Sequence, residues 1–148
     1  MDLLSTLRQE INQTDFETAL RKTVTLLRDH VPHYNWVGVY ILEGDELVLK
    51  AWDGPEATQH TRIPVGQGIC GLAAREKRTV IVGDVNADPR YLACFPYTRS
   101  EIVVPIVDGA NVLGEIDIDS NTLNAFTEQD RTFLEKVAAL LGEQYARS

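Results

Sequence analysis

Cys94 stands seven residues ahead of Glu101, and Glu101 opens the run Ile102-Val103-Val104-Pro105-Ile106. That run has the apolar, β-branched character of a buried strand. A carboxylate at the lip of a core is costly to desolvate unless something pairs with it. The next expected strand carries Asp117 and Asp119, so the sequence predicts that one thiol and three carboxylates converge. A nucleophilic sulfur beside groups able to hold and release protons is equipment for redox chemistry on a small polar ligand.

A second cysteine, Cys70, lies in Val65-Gly66-Gln67-Gly68-Ile69-Cys70-Gly71. No Gly-Lys-Ser/Thr follows, and the spacing does not make a dinucleotide fingerprint. The glycines therefore predict a tight lead-in to a short helix lying close against a sheet, with Cys70 on its inner face as core filler. Asp84, directly after an expected strand, either caps the backbone or faces a ligand. His30, His33 and His60 show no familiar metal-site spacing with the cysteines, and no metal is expected from them. Trp36 and Tyr40 are four apart on an expected strand and share a face.

The elements that must position these residues follow from periodicity. Leu3, Leu4, Leu7 and Ile11 predict a helix over about 2–12. Thr14 with Glu17 has the spacing of a capping box for a second helix, about 15–31, whose apolar positions Phe16, Leu20, Val24, Leu27 and Val31 run to Pro32. Residues 34–42 and 47–49 form a hairpin about Gly44-Asp45, and residues 79–82 a short strand. Ile102–Val107 and Val112–Ile118 form a second hairpin about residues 108–111. Thr127 opens a last helix, about 128–145, with Phe133, Leu134, Val137, Leu140 and Leu141 as its apolar stripe. Hairpins joined by short turns are antiparallel. The expectation is one α+β domain over 1–148 with its core at about 33–120. A central antiparallel sheet has the terminal helices on one face and a ligand pocket under the loops of residues 54–98 on the other.

Composition bounds the function. With 44% hydrophobic and 24% charged residues the chain has the balance of a globular protein. A net charge of −8 argues against nucleic acid, whose phosphates need a basic face. The start Met-Asp-Leu-Leu-Ser-Thr-Leu-Arg has no export signal, and no apolar run approaches the roughly 20 residues that cross a bilayer. A cytoplasmic protein with two reduced thiols is the expectation.

The element order and Ile63-Pro64-Val65-Gly66-x-Gly68-Ile69-Cys70-Gly71 resemble a GAF domain over almost the whole chain. More narrowly, Asn35-Trp36-Val37-Gly38-Val39-Tyr40, Cys70, Asp84-Val85, Ala93-Cys94, Ser100-Glu101-Ile102-Val103-Val104-Pro105 and Asp117-Ile118-Asp119-Ser120 resemble the signature blocks of the free methionine-(R)-sulfoxide reductases. These are single GAF domains that reduce the free amino acid. The resemblance implies that Cys94 is the nucleophile and Glu101 the acid working on the sulfoxide oxygen. It makes Asp117, Asp119 and Asp84 contacts to the ligand's polar groups, and Trp36 and Tyr40 walls around its methyl thioether end. Like charge and burial would push Glu101 towards its protonated form. Attack would leave Cys94 as a sulfenic acid, which a second thiol condenses with.

The family's third cysteine, ten residues before Cys70, is His60 here, and Phe95 follows Cys94 where the family has a carboxylate. Either Cys70 serves as the resolving thiol, or an external thiol attacks the sulfenic acid directly, or turnover has been lost. The resemblance thus implies free methionine sulfoxide or a similar small amino-acid-like ligand. It adds a thioredoxin- or glutathione-type reductant, no further cofactor, and a homodimer by family habit. The alternative is a ligand-binding or sensor GAF domain without chemistry.

Overall fold

Strict alternation in the two longest strands decides the architecture. Within Ser100–Asp108 and Asn111–Ser120, Ile102, Val104 and Ile106 and then Ile116 and Ile118 point one way, while Glu101 and Val103 and then Glu115, Asp117 and Asp119 point the other. One face can be dried by helices. The other must be handled differently.

The computed structural model describes residues 2–93 and 95–148. The chain begins with helices α1 (Leu3–Asn12) and α2 (Phe16–His30), followed by strands β1 (Trp36–Glu43), β2 (Glu46–Asp53) and β3 (Arg62–Pro64). Helix α3 (Gly68–Glu76), strand β4 (Val80–Val82) and a 3-10 turn (Val85–Ala87) come next. Then come β5 (Ser100–Asp108), β6 (Asn111–Ser120) and helix α4 (Glu128–Arg147). Among the described residues the strands form one sheet in the order β3-β2-β1-β6-β5-β4, every neighbouring pair antiparallel. No helix among them is long and apolar enough to cross a membrane.

Helices α1, α2 and α4 cover one face. Leu7 and Ile11, then Leu20, Val24 and Leu27, then Leu134, Val137 and Leu141 pack there against Val37, Val39, Ile102, Val104, Ile106, Ile116 and Ile118. Burying each such side chain contributes about 1.5–3 kcal/mol, so this layer supplies most of the driving force. The N-terminal ends are closed by side chains. Asp15 Oδ1, not Thr14, accepts the Thr18 amide at 2.7 Å, which corrects the expected capping box. Thr14 instead donates its hydroxyl to the Glu10 carbonyl at 2.9 Å. At α4, Thr127 and Asp130 form a reciprocal capping box.

The opposite face carries a smaller apolar cluster. Tyr40, Leu47, Ile63, Val80, Val82 and Val103 meet Ile69, Cys70, Leu72 and Ala73 of α3. A bulge at Lys50, between the pairs Val39–Ala51 and Tyr40–Leu49, shifts the parity of β2 so that Leu47 and Leu49 point to this side. The lead-in to α3 is as tight as the glycines predict. Gly66 and Gly68 have φ of 106° and 65°, and a Cβ on Gly71 would come within 2.6 Å of the Gly66 nitrogen. Strand β3 was not expected from the sequence, and the loop after β4 contains the 3-10 turn.

Candidate functional site

The pleat of β5 and β6 gathers the carboxyls. Glu101 is the register partner of Asp119, and Val103 that of Asp117, while β1 sets Trp36 opposite Asp119 and Gly38 opposite Asp117. Glu101, Asp117 and Asp119 are all 5% exposed or less. The Glu101 carboxyl lies against those of both Asp117 and Asp119. Like charges buried side by side disfavour full ionisation, so the cluster favours keeping a proton. Burial raises the pKa of Asp117, and burial followed by the charge of Asp117 raises that of Asp119.

A fourth acid joins them. Glu115 lies on the same face of β6, two residues before Asp117, with no measurable exposure. Burial, then the Asp117 charge, pushes it well above the ordinary glutamate range. Neither of its carboxyl oxygens has a hydrogen-bond partner of ordinary geometry among the described residues, although the Cys70 thiol lies beside it. The sequence reading did not single out Glu115. The signal was there: residues 115, 117 and 119 share one strand parity.

Cys70 sits on the inner face of α3, 4% exposed, with a free thiol. Burial, followed by the charges of Asp117, Glu115 and Glu101, pushes that thiol up. It is therefore a poor nucleophile as it stands. A small cavity of ≈ 10 Å³ lies between Cys70, Glu101, Asp117, Ile63, Gly68, Ile69 and Leu92. Cys94 lies outside the described residues.

Aromatic rings close the neighbouring part of the cleft. Trp36 is 2% exposed and lies along its own strand, its indole occupying the space that a Cβ on Gly38 or Gly54 would need. Its Nε1–H donates to the Glu56 carbonyl at 3.2 Å. The ring stacks on Trp52 at 6.3 Å and leans on Phe95 at 6.0 Å, and Phe95 in turn stacks on Tyr97 at 5.5 Å. Phe95 is thus a buried wall residue, which the sequence reading took only as a departure. Tyr40 is fully buried and donates its hydroxyl to the His60 carbonyl at 2.8 Å. The His60 ring donates from Nε2 to the Ala93 carbonyl at 2.9 Å, tying the loop before β3 to the segment that leads to Cys94.

Asp84 is placed apart from this cluster. It is exposed, and its Oδ1 accepts the Asn86 amide at 3.1 Å at the head of the 3-10 turn. The structure thus brings together Glu101, Asp117, Asp119 and Cys70, with Trp36 and Tyr40 on the same sheet face. It leaves Asp84 at the surface.

The GAF domain family matches residues 15–144. Free methionine-R-sulfoxide reductase of Escherichia coli (strain K12) is 37% identical over 129 residues, covering 87% of this chain and 77% of the relative. The chain belongs to the free methionine-R-sulfoxide reductase family of GAF proteins. GAF domain-containing protein A of Dictyostelium discoideum is 41% identical over 110 residues, 74% of this chain and 68% of that one. Among solved structures, the free methionine-R-sulfoxide reductase of Neisseria meningitidis in complex with its substrate superposes with a TM-score of 0.91 at 37% identity. That superposition covers 97% of this chain and 86% of the other. In this GAF domain, the acid-lined face of the sheet lies under α3, on the side opposite α1, α2 and α4.

Proposed function

We propose that this protein reduces free L-methionine-(R)-sulfoxide to methionine, with Cys94 as nucleophile and Glu101 as the acid. The observation that carries the reading is the cluster of three adjacent carboxyls, Glu101, Asp117 and Asp119, buried on the sheet face beside Trp36 and Tyr40. Support comes also from the E. coli and N. meningitidis proteins, each named a free methionine-R-sulfoxide reductase.

The Cys94 thiolate attacks the sulfoxide sulfur while Glu101 gives a proton to the departing oxygen. The attack forms a bond between the two sulfurs and the S–O bond breaks; the oxygen then adds to the Cys94 sulfur as the S–S bond breaks, releasing methionine and leaving a sulfenic acid. The substrate sulfur gains two electrons and the cysteine sulfur loses two. Proton donation of this kind is worth roughly 10²–10⁴-fold in rate. Asp117 and Asp119 bind the ligand's ammonium and hold the proton inventory of Glu101, and Trp36 and Tyr40 wall the thioether end. An external thiol of the thioredoxin or glutathione type then condenses with the sulfenic acid, releasing water, and a second thiol restores Cys94. Cys70 is set against the resolving role by its burial and raised pKa, and His60 by its lack of a thiol.

The test is methionine formation from free L-methionine-(R)-sulfoxide with dithiothreitol, beside Cys94→Ser. Turnover that disappears in the variant is expected. A folded protein that makes no methionine overturns the reading and leaves a binding domain.

A further inference from the structure

The cavity beneath α3 is too small for an amino acid. Its ≈ 10 Å³ suits one occupant the size of a water molecule or an ion. Three of the residues around it, Cys70, Glu101 and Asp117, each offer a ligand atom, and these atoms lie within 4.8 Å of one another. A second observation points the same way. Asp117 is 3% exposed, lines the cavity, and its Oδ1 has no hydrogen-bond partner among the described residues. Both oxygens of the fully buried Glu115, beside Cys70, are in the same position. Buried oxygens left in this condition are destabilising, and protons on the cluster relieve only part of that cost. A cation relieves it further.

We propose that Cys70, Glu101 and Asp117 form a binding site for a thiophilic divalent cation, zinc in particular, with Glu115 as the adjoining carboxylate. The donor set selects the ion. Magnesium and calcium take oxygen ligands in sixfold or higher coordination, whereas one sulfur with carboxylate oxygens suits zinc. Zinc–sulfur and zinc–oxygen contacts of about 2.3 and 2.0 Å put tetrahedral ligand atoms about 3.5 Å apart. Side-chain shifts of about 1 Å therefore close the site. Binding exchanges protons for the ion: the thiol proton of Cys70 and those held by the carboxyls leave as the metal contacts form, and nothing changes oxidation state. Because Glu101 and Asp117 also belong to the proposed reductase site, zinc and the sulfoxide exclude one another.

The test is titration of the reduced full-length protein with Co²⁺ under anaerobic conditions, followed by Zn²⁺. The expected result is one equivalent of Co²⁺ with a thiolate charge-transfer band in the near ultraviolet. Protons should be released on binding, and the band should vanish when Zn²⁺ displaces the cobalt. Cys70→Ser should lose the band and Cys94→Ser should keep it. Asp117→Asn should weaken binding by at least about tenfold, as even outer-shell partners do, and it carries the test if Cys70→Ser does not fold. A wild-type protein without the band, a band that survives in Cys70→Ser, or one that disappears in Cys94→Ser overturns the proposal. Metal binding is read without turnover, so this result and the sulfoxide assay fail independently. A sample that binds cobalt but makes no methionine keeps the metal site and loses the reductase.

Discussion

Strands β5 and β6 carry two surfaces that share a backbone and little else. On the helix side Ile102, Val104, Ile106, Ile116 and Ile118 are at most 1% exposed and pack against aliphatic side chains. On the α3 side Glu101, Glu115, Asp117 and Asp119 are also buried, yet both oxygens of Glu115 and one each of Asp117 and Asp119 lack partners among the described residues. Burial alone does not distinguish the faces. What differs is the sign of its contribution: the first face drives folding and the second opposes it, a cost that the proposed chemistry would explain.

The largest expected effect comes from removing the acid. Glu101→Gln keeps shape and burial but takes away the proposed proton donor to the sulfoxide oxygen. The rate constant for methionine formation should fall by about 10²–10⁴-fold, with the melting temperature unchanged or raised. A variant that melts far below wild type would mean that Glu101 is structural, and the contrast between the faces would fail. Across the sheet, Ile118→Ala should do the reverse. Deleting those buried methyl groups costs about 2–5 kcal/mol in stability, measured by urea denaturation, while activity per folded molecule stays within about threefold of wild type. Loss of turnover in a sample still folded by circular dichroism would show that the faces are coupled.

Glu115 sharpens the comparison at intermediate size. Its pKa is raised in the fold by burial and by Asp117. As pH rises past the ordinary glutamate value of 4.5, the unfolded chain gives up this proton while the folded one keeps it. The folded state then binds more protons, so stability declines with pH until the raised folded value is passed. Glu115→Met removes this dependence. It should stabilise the protein by about 1–3 kcal/mol at pH 8, about 2–4 °C of melting temperature per kcal/mol, and by much less at pH 4. Equal effects at both pH values would sink the account of Glu115 as a buried, destabilising acid.

Alternation made both hairpins and the site's parity legible. Glu101 with Asp117 and Asp119 could be placed on one face because period-2 reading is robust for strands of nine and ten residues. Glu115 escaped only because that parity was not extended one step back. Other features had no sequence signal of comparable strength. Strand β3 is three residues long and includes Pro64, too little for a period to show. Asp15 and Thr14 are both competent caps, and tertiary placement of α2 decides between them. The cavity depends on residues 63, 68–70, 92, 101 and 117 meeting in space, and no local pattern announces that. Phe95 read as the loss of a polar neighbour. Only the stacked rings of Trp36, Trp52 and Tyr97 reveal it as part of an aromatic wall.

The smallest expected effect is at Asp84, where the two roles open from the sequence separate cleanly. Its carboxylate is at the surface, and the bond from the Asn86 amide to Oδ1 at 3.1 Å begins a turn of three residues. To touch a ligand held by Asp117 and Asp119, it would have to give up that bond and leave solvent for a site already crowded with negative charge. Both changes are unfavourable. Asp84→Asn preserves the capping geometry and removes only the charge, and Asn caps about as well as Asp. Stability should therefore stay within about 0.5 kcal/mol of wild type, and KM for free methionine sulfoxide within about threefold, since no contact to the ligand is lost. A tenfold rise in KM with kcat unchanged would instead place Asp84 on the substrate's ammonium. The loop after β4 would then have to close over the cleft when ligand binds, and the two faces of the sheet would differ in motion as well as in charge.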